Sequence, residues 1–183
     1  MRLATLREQL RRYQPADAAE ARFAARMLEL TEAPDACARS HFAPGHFTAS
    51  AFVLSPDRRE LILIHHRKLG IWVQPGGHID ATDLDLESAA RREVAEEVGL
   101  RELEALLPNS ALFDLDIHAI PARKDEPAHE HFDVRFAFVA RTLSFERSEE
   151  VADVRWVPLA EARAITTDRS VLRAVEKLPA LLA

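Results

Sequence analysis

The chain is poor in residues that staple or anchor a protein. It has one cysteine, Cys37, so it can form no internal disulfide and offers no cysteine-based zinc site. No apolar run approaches the roughly 20 residues that span a bilayer; Leu61 to Ile64 is typical of the longest. The stretch from Met1 to Glu8 has no apolar core like that of a secretory leader, so no membrane association and a cytoplasmic location are expected. Basic residues are outnumbered, with 24 Lys and Arg against 30 Asp and Glu, a net charge of −6. That balance argues against binding a nucleic-acid polymer by phosphate neutralisation, although a local basic patch can still hold a small anion. What remains is ordinary globular material, 48% hydrophobic and 30% charged over 183 residues, enough for one domain with appendages.

The first forty residues read as helix. Leu3, Leu6 and Leu10 recur at helical spacing, and Ala18 to Leu30 is rich in Ala, Glu, Arg and Leu. Pro15 separates the two segments and Pro34-Asp35 ends the second. No chemistry is visible there. An N-terminal helical extension over 1–43 is expected, serving packing or a homodimer, followed by the main domain over 44–183. From Phe47 the period changes. Strands are expected at Phe47 to Leu54, Leu61 to His65, Ile71 to Val73, Ala111 to Ile120, Phe132 to Ala140 and Val154 to Val157. Helices are expected at Leu86 to Val98, stopped by Gly99, and at Leu159 to Ala164 and Ser170 to Lys177. Strands on both sides of one helix, with helix at the end, indicate the α/β class around a mixed sheet.

The chemistry concentrates between Gly76 and Leu100. Glu93 and Glu97 stand at i and i+4, with Glu96 beside them, so three carboxylates crowd one helical face at about 5–6 Å spacing. Such charges repel, and a cation reverses the sign of that interaction. Oxygen-only ligation suits Mg²⁺ or Mn²⁺, which share their remaining positions with water and phosphate. The plain alternative is a solvated acidic face paired with Arg91, Arg92 and Arg101. Context favours the site: Gln74-Pro75-Gly76-Gly77 precedes the helix, a turn whose glycines let backbone approach a ligand.

Gly77, Arg92, Glu93, Val94, Glu96, Glu97, Gly99 and Leu100 together resemble the Nudix box, G-x5-E-x7-R-E-U-x-E-E-x-G-U with U aliphatic. From Gly77 to Arg92 there are 15 steps where the pattern has 14, and its first Glu falls on Asp83, or on Leu84 if the insertion is placed earlier. Both departures lie where a carboxylate orients or caps and an added residue is tolerated. The resemblance implies a Nudix-type α/β/α sandwich over roughly Phe47 to Ala164. It also implies hydrolysis of a nucleoside diphosphate linked to another moiety X, with Mg²⁺ or Mn²⁺. By motif position Glu93, Glu96 and Glu97 hold metal or activate water, the Gly76 carbonyl is a backbone ligand, and Arg92 holds the glutamates in place. Many members add an acidic residue before a Trp-containing strand; Glu149 and Glu150 precede Val154-Arg155-Trp156-Val157, and Glu150 is chosen here. As general base Glu93 is the first choice and Glu150 the second. A nucleotide-binding sensor without turnover is the alternative reading. A diphosphate isomerase on the same fold uses an active-site cysteine, which Cys37, before the sandwich, supports poorly.

Other residues are candidates for the rim. Arg67 has the fork that matches phosphate oxygens, and His78 directly follows Gly77. His129, His131, Asp133 and Arg135 alternate with Phe132, Val134, Phe136 and Phe138, so a strand here puts aromatics on one face and polar groups on the other. The polar face is expected either to meet solvent or to wall a pocket in which His131 and Arg135 bind substrate, with His118 joining them. His129 and His131 beside Asp133 suggest zinc, but no third ligand has supportive spacing. His41, Phe42 and His46 show no recognisable arrangement.

Overall fold

A computed structural model describes residues 2–166 and 168–182. In chain order its elements are α1 (Arg2–Arg12), α2 (Ala18–Leu30), β1 (Gly45–Leu54), β2 (Glu60–His66), β3 (Ile71–Val73), β4 (Gly76–His78), α3 (Leu86–Val98), β5 (Leu103–Ala105), β6 (Asp114–Ile120), β7 (His129–Ala140), β8 (Val151–Pro158), α4 (Ala162–Ile165) and α5 (Arg169–Leu182). The α/β class and the helical N-terminus follow the expectation. The strands β4 and β5, three residues each, do not appear in the sequence pattern; β4 pairs with β1 and β5 with β7. Among the described residues no helix is long and apolar enough to cross a membrane.

Contacts divide the chain into two compact units. One comprises Met1–Ser50, Gly77–Ala90 and Asn109–Phe136; the other comprises Ala51–Gly76, Arg91–Pro108 and Ala137–Ala183.

In the first unit the N-terminal helices are part of the packing. Asp17 caps α2 by accepting from the backbone N–H groups of Ala19 and Glu20, which satisfies donors that the first turn leaves open. Leu6, Leu10, Met27 and Leu30 are buried, and α2 lies against β6. Polar ties accompany the apolar ones: Arg7 donates to Thr31, Gln9 to the Ser110 carbonyl, and Arg26 pairs with Glu130 while its guanidinium lies 5.2 Å from the Phe132 ring centre. Strands β6 and β7 run antiparallel with Asp114 opposite Arg135, Asp116 opposite Asp133 and His118 opposite His131. The loop before α3 is closed by carboxylates. Asp83, where the family pattern has Glu, is buried and accepts from the Asp80 N–H, while Asp85 and Ser88 exchange bonds at the helix start.

In the second unit β2 is flanked by β1, β3 and β8, all antiparallel, with Leu61 opposite both Leu54 and Val157. Leu61, Ile62, Leu63 and Ile64 are all buried, as expected for a strand covered on both faces. Val94 and Val98 bury the inner side of α3, and Arg91 stacks 4.2 Å over Phe138 while donating to the Leu103 carbonyl. α5 buries Val171, Ala174, Val175 and Leu178, the i, i+3, i+4, i+7 stripe of an amphipathic helix.

Candidate active site

The box carboxylates all stand in the second unit, on the part of α3 whose other face is core. Helical spacing therefore fixes their exposure in a graded way. Glu96 is exposed, Glu93 is largely covered and Glu97 is 7% exposed. One nitrogen of Arg92, Nη1, donates to Glu93 at 3.0 Å and to Glu96 at 2.9 Å, so a single cation holds two of the three acids in position.

Glu97 has a different partner. Its Oε2 accepts from the Gly76 backbone N–H at 3.0 Å, which ties the Gly76 loop to the helix. Burial pushes the Glu97 carboxyl up to about 8; the Gly76 N–H opposes that rise, and the charges of Glu93, Glu150 and Glu96 add to it. Near neutral pH Glu97 therefore carries a proton.

Glu150 reaches this neighbourhood because the loop before β8 is bonded to the end of α3. Glu146 N–H donates to the Val98 carbonyl at 3.0 Å and Ser148 N–H to the Glu97 carbonyl at 3.2 Å. Gly99 makes that approach possible. Its φ is +72°, and a Cβ there would stand 2.9 Å from the Glu146 Cβ. The glycine that stops the helix in the family pattern thus also admits the loop carrying Glu149 and Glu150.

Arg67 donates to the Val151 carbonyl at 3.3 Å within the second unit. Gly77 and His78 belong to β4 and to the first unit. His131 also lies in the first unit, in a group of imidazoles with His46, His78 and His129. Arg135 is not placed to meet a substrate. It is 1% exposed, with its fork filled by Asp133 at 2.8 Å, Asp114 at 3.1 Å and Asp116 at 3.5 Å. Asp133 also accepts from Thr48 and Ser50. The polar face of β7 is accordingly neither solvated nor an open wall at this end; it is a buried ionic network, satisfied by β6 and β1. Burial opposes charge on His118, but its hydrogen bond to Asp116 and the Asp133 charge outweigh that and hold its pKa above the usual value.

A family model described as NUDIX domain matches residues 44–176. A search of curated protein sequences finds no match. Among solved structures, the chain is similar to a NUDIX-family hydrolase from Clostridium perfringens at 24% identity, covering 74% of this chain and 97% of that one, with a TM-score of 0.56. It is also similar to the NUDIX domain of Shewanella oneidensis NrtR, solved with ADP ribose, at 23% identity over 75% of this chain and 88% of that one, TM-score 0.55. A C. elegans Ap4A hydrolase in a binary complex gives 18% identity over 74% and 96%, TM-score 0.54. At such identities the structural likeness speaks to the fold, an α/β arrangement around a mixed sheet, while the family model spans most of the length: the chain belongs to the NUDIX family.

Proposed function

We propose that the chain is a divalent-metal-dependent pyrophosphohydrolase that cleaves the phosphoanhydride of a nucleoside diphosphate linked to a second moiety. The observation that carries the reading is Glu97, a buried carboxyl held by the Gly76 N–H and crowded by Glu93, Glu96 and Glu150. A site that pushes a carboxyl up to about 8 without a cation favours binding one. The donors are oxygens throughout, which suits Mg²⁺ or Mn²⁺. Glu93, Glu96, Glu97 and the Gly76 carbonyl would hold the ion. When bound, it supplies neutralisation of phosphate oxygens and a lowered pKa for a coordinated water.

The chain's own groups account for the rest. Arg92 bridges Glu93 and Glu96 and holds their carboxylates side by side against their mutual repulsion. Glu93, largely covered beside that cation, takes the proton from the attacking water; Glu150, exposed at the loop, is the second candidate for that role. Water oxygen attaches to one phosphorus, the bridging P–O bond breaks, and the departing phosphate carries away the bond's electron pair.

The test is a panel of ADP-ribose, NADH, dinucleoside polyphosphates, nucleoside triphosphates and nucleotide sugars, with and without Mg²⁺ or Mn²⁺. Metal-dependent cleavage of at least one compound is expected. Glu93→Gln and Glu97→Gln should each lower its rate at least tenfold, because each removes a charged oxygen that works on the reacting centre. Turnover that survives EDTA would overturn the mechanism. Binding of a nucleotide without cleavage of any would establish instead the sensor reading.

A further inference from the structure

The histidines of the first unit form an arrangement that the hydrolase reading does not use. His46 stands second in β1, and His129 and His131 lie at the start of β7. One potential ligand atom from each lies within 4.8 Å of the other two. The ring centres of His46, His129 and His131 are 4.9–5.3 Å apart, and the His78 ring stands 5.2 Å from both His46 and His131.

The hydrogen bonds around the cluster assign its lone pairs. His46 Nδ1 lies 3.2 Å from the His41 carbonyl, and His129 Nδ1 lies 2.8 Å from the Pro127 carbonyl. A carbonyl only accepts, so both Nδ1 atoms carry the proton and both Nε2 atoms present a lone pair. Metal-ligating histidines are typically oriented in this way, by donating their other nitrogen to a backbone carbonyl. His46 is 1% exposed, and its Nε2 has no hydrogen-bond partner among the described residues. An orphaned acceptor at that depth is costly unless something occupies it.

Backbone geometry points the same way. A Cβ on Gly45 would stand 1.8 Å from the Glu130 carbonyl oxygen, so only glycine lets the start of β1 lie against the residue between His129 and His131. The Glu130 N–H donates to the Pro44 carbonyl and holds the two strand starts together.

We propose that His46, His129 and His131 are the ligands of a transition-metal dication, with Zn²⁺ the best fit, at a site built from residues other than the helix carboxylates. Neutral imidazoles select Zn²⁺, Cu²⁺, Ni²⁺ or Co²⁺ over Mg²⁺. Zn–N bonds of about 2.1 Å bring three nitrogens to about 3.4 Å from one another, a closure of little more than an ångström from the present spacing. His78 flanks the fourth side. His118 does not join, because it is committed to Asp116.

The test uses the full-length protein stripped with EDTA and then titrated with Zn²⁺, and separately with Co²⁺, whose visible absorption reports tetrahedral nitrogen ligation. Wild type should bind one Zn²⁺ per chain tightly, and its melting temperature should rise with the metal. Glu97→Gln and His118→Ala should keep that stoichiometry and that absorption. His129→Ala and the milder His131→Gln should weaken Zn²⁺ binding at least tenfold and abolish the Co²⁺ band, while melting cooperatively in EDTA. The proposal is overturned if wild type takes up no stoichiometric Zn²⁺. It is overturned equally if Glu97→Gln removes the tight Zn²⁺ while folded His131→Gln retains it.

Discussion

Glu97→Gln should stabilise the metal-free protein while disabling it. In the folded chain Glu97 has an ionisation midpoint of about 8, against 4.5 for an ordinary glutamate. The folded state therefore binds a proton that the unfolded state has already released anywhere between those values, and stability falls as pH rises through that window. At ~1.4 kcal/mol per pH step, carrying that proton at pH 7 costs about 3 kcal/mol, and the cost continues to grow until about pH 8. Glutamine is neutral at every pH, and its carbonyl can accept the same Gly76 N–H. Without divalent cations the variant should gain up to about 3 kcal/mol at pH 7, a rise of roughly 6–12 °C in Tm for a chain of this size. With Mg²⁺ at about a thousand times its Kd the order should reverse, since the ligand then adds about 4.1 kcal/mol to wild type only. Thermal melts of both proteins from pH 5 to 9, in EDTA and in Mg²⁺, read the effect directly. A wild type whose metal-free stability does not decline between pH 5 and 8, or a variant less stable than wild type in EDTA at pH 8, would refute the assignment of Glu97 as the strained centre of the site.

Two further substitutions probe the supports. Gly99→Ala forces a left-handed residue to carry a Cβ against Glu146; it should cost about 1–2 kcal/mol in urea denaturation and also reduce turnover, because the loop bearing Glu150 must shift. Unchanged activity at that position would detach the loop from catalysis. Arg135→Met leaves Asp114, Asp116 and Asp133 buried without their cation and should destabilise by about 3–5 kcal/mol near neutral pH. A variant as stable as wild type would mean that the three carboxylates do not depend on Arg135 for their charge balance.

How much of this was legible in the sequence follows from the range of each interaction. Glu93, Glu96 and Glu97 share one helical turn, so their crowding is written in adjacent letters, and Gly99 marks the stop at the same scale. Alternation along Phe132 to Phe138 likewise gave the apolar face of β7 correctly. Period two says which residues share a face, however, and nothing about what lies over that face. Arg135 read as a substrate contact because its partners, Asp114 and Asp116, arrive from another strand at a register the sequence does not specify. β4 and β5 are too short to show a period, and the glycines of β4 carry a turn signal that pairing with β1 overrides. The imidazole cluster fails for the same reason on a longer scale. His129 and His131 were visible as a pair, but the third member, His46, lies more than eighty residues earlier and looked unremarkable beside His41 and Phe42. Its one local signal is Gly45, a glycine opening a long β-branched and aromatic run. A glycine there means that another backbone comes close, and the backbone that does is Glu130. The carboxylate site depends on neighbours in sequence and the histidine site on neighbours in the sheet, so the first could be read in advance and the second could be seen only in the folded chain.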